Sequence, residues 1–345
     1  MTHKERIDAV LSHQPTDRTP FALVDGGAWI AKMENKTYRD MYFSENGAGD
    51  LIVKYTNMID TDLVSAVSGV FTAPLNAFGC SIAIDECGNP VNTGTCISDP
   101  DTEIPLLDKS DVREKLLAND FFQGMLRQCK AVYEAVGDEK YLFGDIAGPF
   151  TNASVMVGTA KFLKLMRKKP DLLRQLMDYA TEICIQVYHL LAENGCSITF
   201  VAEPVASGTM ISPQMYEEWA LPALINVKNA LPEYKYYFAH ICGASLARVI
   251  PLRDAGFDAF SCDYLVPEDQ FLTDADNRLV MFGNLEPAGK LLMGTADDVY
   301  KEACEHIEIS KGLNYIIAPG CDLSCNSPYE NVAAIGRACK DLARA

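Results

Sequence analysis

Basic residues are scarce in this 345-residue chain: 30 Lys and Arg stand against 47 Asp and Glu, a formal net charge of −17. A nucleic-acid binder needs a basic patch to displace counterions from phosphates, so that class is excluded. An acidic surface suits a soluble enzyme instead and can shape docking with a partner protein. No apolar run approaches the roughly 18 residues of a membrane span. The opening MTHKERIDAVLSHQ lacks the apolar core of a secretory leader, so a cytoplasmic location away from membranes is expected. The phosphate-cradling GxxxxGK followed by Ser or Thr is missing, as are GxGxxG after a strand, HExxH and the GxSxG elbow. The twelve cysteines lack the regular spacing of a disulfide framework, and in so long a chain they read as reduced thiols.

Hydrophobic residues make up 48% of the sequence, enough for a sizeable core and too much for disorder. Eight apolar or β-branched runs read as strands: PFALV (20–24), TDLVSAV (61–67), YLFGDI (141–146), SITFVAE (197–203), KYYFAHI (235–241), FDAFSCD (257–263), LVMFGNL (279–285) and LNYIIAP (313–319). They look buried on both faces, as parallel strands are. Helical spacing fills 112–135 and 159–194, and a leading helix occupies 3–12. Later helices start with Ser212-Pro213, Thr295 and Ser327-Pro328, which are N-cap and first-turn signatures. This alternation predicts an α/β fold, a single-domain (β/α)8 TIM barrel spanning 1–345. The Gly-, Pro-, Asn- and Thr-rich segment 68–110 does not fit the repeat. It reads as an insertion with a hairpin lying over the barrel mouth.

Barrel active sites lie at the C-terminal ends of the strands. Those ends carry Asp25, Asp145, Glu203, His240, Cys242, Asp263, Asn284 and Cys321. His240 and Cys242 are two apart, so in an extended segment both point to one side; Cys321 follows the last strand. One imidazole and two thiolates favour zinc over hard cations. Three protein ligands leave a fourth position open, as in catalytic sites. A site with two thiolates is a modest Lewis acid, better suited to holding a substrate thiol as thiolate than to making hydroxide. The implied chemistry is attack by sulfur, most naturally on a methyl group.

Glu203 and Asp263 are the catalytic candidates. Glu203 is open to two readings, a fourth ligand that substrate displaces or a carboxylate beside the ligands. Asp145 and Asn284 are candidates for contacting a cofactor. Cys325, four residues after Cys321, is an alternative ligand, while Cys80, Cys87 and Cys96 of the insertion read as structural.

Several segments together resemble the uroporphyrinogen decarboxylase superfamily: KERIDAVLSHQPTDRTP (4–20), GPFTNASVMVGTAKFLKLMRKKPDLL (148–173), EPVASGTMISPQMYEEWALP (203–222), GNLEP (283–287) and APGCDLSCNSPYENVAAI (318–335). The resemblance covers nearly the whole chain and implies one (β/α)8 barrel. Within that superfamily the chain is similar to the corrinoid-dependent branch, the methylcobamide:coenzyme M methyltransferases and their bacterial relatives. Their His-x-Cys…Cys zinc site is matched here by His240, Cys242 and Cys321. The decarboxylases carry an Arg-rich early loop for substrate carboxylates; the equivalent VDGGAWIAKMENKTYRD (24–40) has no paired arginines. The resemblance implies zinc, a methylated corrinoid protein as methyl donor, and a thiol such as coenzyme M, or tetrahydrofolate, as acceptor.

Overall fold

The computed structural model describes all residues except 68–70, 85–89, 312 and 344–345, so Cys87 lies outside the described residues. In chain order the strands are β1 (Leu63–Val67), β2 (Ile82–Ile84), β3 (Pro90–Asn92), β4 (Tyr141–Ala147), β5 (Ile198–Ala202), β6 (Tyr236–Ile241), β7 (Ala259–Cys262), β8 (Val280–Leu285) and β9 (Tyr315–Pro319). Seven of them form one curled sheet in the order β1-β4-β5-β6-β7-β8-β9, and each neighbouring pair is parallel. Helices fill most of the connections, as parallel crossovers require. Strands β2 and β3 pair antiparallel inside the expected insertion.

The eighth expected strand, 20–24, does not form. Only an isolated parallel bridge joins Phe21 to Ile317 of β9. Pro20 has no N–H to give a ladder, and the Phe21 N–H is taken at 2.9 Å by the Asp62 carboxylate. Residues 20–22 still bond to both outer strands' surroundings. Ile317 donates to the Pro20 carbonyl and Ala22 to the Ile317 carbonyl, while Asp62, just before β1, donates to the Phe21 carbonyl at 2.7 Å.

Two expected helices are broken by local chemistry. The 112–135 stretch divides into Val112–Leu117 and Asp120–Val136, with the Asn119 side chain capping the second. The 159–194 stretch divides into Thr159–Lys168 and Pro170–Ala192, because Pro170 removes an amide and suits a first turn.

Period-two alternation decides what reaches the site. Phe143, Phe200, Phe238, Ala259, Phe282 and Ala318 belong to one buried cluster on the inner face of the sheet. Two residues further along the same faces stand Asp145, Ala202, His240, Ser261 and Asn284. Register aligns Ala202 with His240 and His240 with Ser261 across β5, β6 and β7. At the opposite end the helix His3–Leu11 adds Ile7, Val10 and Leu11 to the same cluster. Its Asp8 accepts from Tyr236, the first residue of β6, at 2.7 Å and from Tyr141, the first of β4, at 3.1 Å. A capping box between Thr2 and Glu5 starts this helix.

The N-terminal region is pinned by Asp62, which is fully buried. Its carboxylate accepts from Arg6 at 2.6 Å and from Arg18 at 2.8 Å, with His3 Nδ1 at 2.8 Å. Burial works against its charge, but His3, Arg18 and Arg6 hold its carboxyl below the usual range.

Candidate active site

His240 is the fifth residue of the six in β6, and Cys242 is the first residue beyond that strand. Its Nε2 lies 2.9 Å from Cys242 Sγ, and Cys242 Sγ lies 3.5 Å from Cys321 Sγ. The three ligand-type atoms are all within 4.8 Å of one another, in a grouping that could hold a metal ion. Cys325 is not part of that grouping; Cys321 is the downstream cysteine brought to His240 and Cys242.

The imidazole is held from behind. Nδ1 lies 2.9 Å from Ser261 Oγ in β7, and the ring stacks on Phe200 with centroids 5.5 Å apart. With Nδ1–H donated to Ser261, the Nε2 lone pair faces the two sulfurs. This is the tautomer a metal-ligating histidine needs. Burial lowers the His240 pKa, but the adjoining Cys321 sulfur and the Asp145 and Asp322 carboxyls outweigh it and raise the net value. Cys321 is pushed well up, first by its contact with Cys242 and then by burial. Cys321 is therefore reluctant to ionise without a cation beside it, and a bound metal would supply one.

The backbone around Cys242 is constrained. Gly243 takes φ +70°, and a Cβ there would come within 2.6 Å of Ser207 Oγ. The Gly243 N–H donates to Asp263 Oδ2 at 3.1 Å, and Asp263 Oδ1 accepts from Leu265 at 3.1 Å. Asp263 therefore ties the turn after β7 to the turn carrying Cys242. Asn284 is buried, and its Nδ2 donates to the Val266 carbonyl at 2.9 Å, fastening the same loop from β8.

Glu203 is fully buried with both oxygens engaged. Oε1 accepts from Phe150 N–H at 2.9 Å, and Oε2 accepts from the Thr151 N–H and hydroxyl, each at 2.7 Å. These donors open the helix Pro149–Val157, so the carboxylate sits where helix-terminal amides favour negative charge. Burial nonetheless pushes Glu203 up to about 7, against those hydrogen bonds. The residue before this helix must be glycine, since a Cβ on Gly148 would fall 2.3 Å from Glu203 Oε1.

A cavity of about 70 Å³ opens beside the sulfurs, lined by Phe71, Asp145, Ala202, Pro204, His240, Cys242, Cys321 and Asp322. Phe71 comes from the insertion, and its carbonyl accepts from Ala147 at the end of β4. The same region holds a second cluster: carboxylate oxygens of Asp25, Asp145 and Asp322 lie within 4.8 Å of one another. Asp145 is buried and its Oδ1 has no hydrogen-bond partner among the described residues. Burial and then Asp322 raise its pKa well above the carboxylate range, with His240 acting the other way.

The structure thus brings His240, Cys242, Cys321 and Asp145 to one cavity, whereas Glu203, Asp263 and Asn284 bond to the backbone around it. Sequence reasoning missed Ser261, Phe71 and Asp322. Ser261 carried a usable signal, since it stands two residues before Asp263 on the inner face of β7.

The uroporphyrinogen decarboxylase (URO-D) family profile matches residues 2–342. The methylcobamide:CoM methyltransferase MtaA of Methanosarcina barkeri is 26% identical over 343 residues, covering 97% of this chain and 96% of its own. The uroporphyrinogen decarboxylase of Nautilia profundicola is 24% identical over 315 residues, covering 89% of this chain and 88% of its own. A solved methyltransferase from Methanosarcina mazei superposes with a TM-score of 0.88 at 26% identity, covering 99% of each chain.

Proposed function

Because the chain belongs to the uroporphyrinogen decarboxylase family, and its relatives include methyltransferases, we propose that it is a corrinoid-dependent methyltransferase. In this reading it takes a methyl group from a methylated corrinoid protein and passes it to a thiol such as coenzyme M, or to tetrahydrofolate. The observation that carries the reading is the convergence of His240 Nε2, Cys242 Sγ and Cys321 Sγ within 4.8 Å. Their donor set suits zinc, and Ser261 already orients the imidazole for it. Zinc held there would keep an acceptor thiol as thiolate near neutral pH.

The protein's own residues divide the remaining work. His240, Cys242 and Cys321 would fix the acceptor sulfur in one place, supplying proximity and orientation. Phe71, Ala202 and Pro204 give the cavity an apolar wall that limits competing water. Asp263 holds the Cys242–Gly243 turn, Asn284 holds the Asp263 loop, and we assign Glu203 to anchoring the helix Pro149–Val157 beside the cavity. The acceptor sulfur gives an electron pair to the methyl carbon, the cobalt–carbon pair stays on cobalt as cobalt(I), and the thiol proton is released.

The corrinoid partner would dock at the C-terminal ends of the strands, where the cavity opens. We read the whole chain as one barrel domain, with residues 20–22 standing in for the eighth strand. We place it in the cytoplasm, where its thiols stay reduced; among the described residues no helix is long and apolar enough to cross a membrane. The decarboxylase alternative fares worse on chemistry. No Lys or Arg is among the described residues lining the cavity, and substrate carboxylates would meet Asp145 and Asp322 instead.

The test incubates zinc-loaded protein with methylcobalamin and, separately, coenzyme M, homocysteine or tetrahydrofolate, following cobalt(I) or cobalt(II) optically. Demethylation with at least one acceptor is expected. Failure with all three, together with decarboxylation of a porphyrinogen, would establish the alternative.

A further inference from the structure

The three carboxylates beside the sulfurs bear on which thiol the site accepts. Asp25 follows residues 20–24, Asp145 lies within β4, and Asp322 follows Cys321 directly, so three separate segments deliver acid to one point. Asp145 is the decisive member. It is only 6% exposed, it lines the cavity, and its Oδ1 has no hydrogen-bond partner among the described residues. A buried carboxylate oxygen without a donor is costly, and a ligand bearing a positive charge or N–H groups would remove that cost. No Lys or Arg is among the described residues that line the cavity with Asp145 and Asp322. The ring nitrogens of His240, which also lines this cavity, are engaged by Cys242 and Ser261.

We propose that Asp25, Asp145 and Asp322 form a recognition subsite for the ammonium group of an aminothiol acceptor, whose sulfur sits at His240, Cys242 and Cys321. The inference rests on the methyltransferase reading and narrows it. An acceptor of the form HS–CH2–CH2–X would place X in the same small cavity as its thiol. With X an ammonium, X meets the carboxylates and supplies the hydrogen bonds that Asp145 lacks. With X a sulfonate, as in coenzyme M, X offers no donor to Asp145 and sets its negative oxygens against a cluster of acidic side chains, and contact of this kind discriminates strongly. The methyl step is unchanged: the sulfur pair forms the S–C bond, the Co–C pair remains on cobalt(I), and the thiol proton leaves.

Three two-carbon thiols isolate the effect: cysteamine carries an ammonium, 2-mercaptoethanol a hydroxyl, and coenzyme M a sulfonate. With zinc-loaded protein and methylcobalamin, kcat/KM should rank cysteamine above 2-mercaptoethanol above coenzyme M. Asp145→Asn should cut the cysteamine to 2-mercaptoethanol ratio by about tenfold or more, the size expected for losing one charge-assisted hydrogen bond. Asp322→Asn, at an exposed position, should lower the same ratio and guards against misfolding of the buried variant. Calorimetry with the methylated products reads binding without turnover: 2-(methylthio)ethylamine should bind the wild type and weaken in both variants.

Preference for coenzyme M that both variants leave intact would overturn the inference while leaving methyl transfer standing. A second metal ion per chain, lost in Asp145→Asn, would also overturn it by assigning the carboxylates to a cation. If neither a thiol nor tetrahydrofolate is methylated, the methyltransferase reading fails separately, and amine binding lost in both variants would still support the subsite.

Discussion

His240 Nδ1 lies 2.9 Å from Ser261 Oγ, which turns the other ring nitrogen toward Cys242 and Cys321. Hydrogen bonds behind a ligating imidazole typically account for a 10- to 100-fold change in metal affinity. Ser261→Ala should therefore weaken zinc binding by about 10-fold or more in a competition titration with a chromogenic chelator, while circular dichroism stays that of the wild type. Unchanged affinity would mean that Ser261 does not orient the ring.

Removing either sulfur should have a larger effect. Cys242→Ser and Cys321→Ser are expected to lower zinc content from about one ion per chain to well below that, measured by atomic emission after dialysis. Cys325→Ser should retain the metal, because Cys325 stands outside the His240 grouping. Loss of zinc from the Cys325 variant alone would reassign the downstream ligand.

Stability depends on a residue far from the chemistry. Asp62 is fully buried between Arg6 and Arg18. Asp62→Asn removes the one buried carboxylate that these two guanidinium groups share, leaving Arg6 to Asp17 and Arg18 to Asp60 at 3.6 Å, at a cost of about 3 kcal/mol by analogy with other broken buried pairs. Its carboxyl is held below the usual range, so the stability it contributes is present above the unfolded-state pKa and is lost as pH falls through the folded value. Urea unfolding from pH 7 down to pH 3 should show a steeper loss in the wild type than in the variant.

Glu203 has the opposite sign. Burial raises it from an ordinary 4.5 to about 7. The folded state then binds the proton more tightly than the unfolded state, and this contribution is full below about pH 4.5 and fades as pH rises toward 7. Glu203→Gln should flatten the stability profile between pH 5 and 7 in thermal unfolding of the metal-free protein. An unaltered slope would show that the three donors from Phe150 and Thr151 keep the carboxylate charged throughout.

Much of the site was readable because period two is strict. Phe238 and His240 share a face of β6, and Cys242, the first residue beyond the strand, continues the same spacing at the C-terminal end of the sheet. The fold was readable for seven strands; the eighth failed on Pro20 and on the Asp62 carboxylate that claims the Phe21 amide. What periodicity could not supply was contact between distant ends. Asp25, Asp145 and Asp322 are separated by 120 and 177 residues in sequence and meet only once the sheet curls. The carboxylate of Glu203 pointed to the ligands by position alone, and only the packing of the helix Pro149–Val157 reveals its donors.

The central claim is tested most directly by isotope-labelled methylcobalamin incubated with the zinc-loaded protein and a thiol, with nuclear magnetic resonance following the label. The account predicts that the labelled methyl appears on the thiol sulfur with the wild type and that transfer falls at least 100-fold in Cys321→Ser, about the scale of losing one essential catalytic interaction. Equal transfer by the wild type and the Cys321 variant, or none by either with any thiol or with tetrahydrofolate, would contradict it.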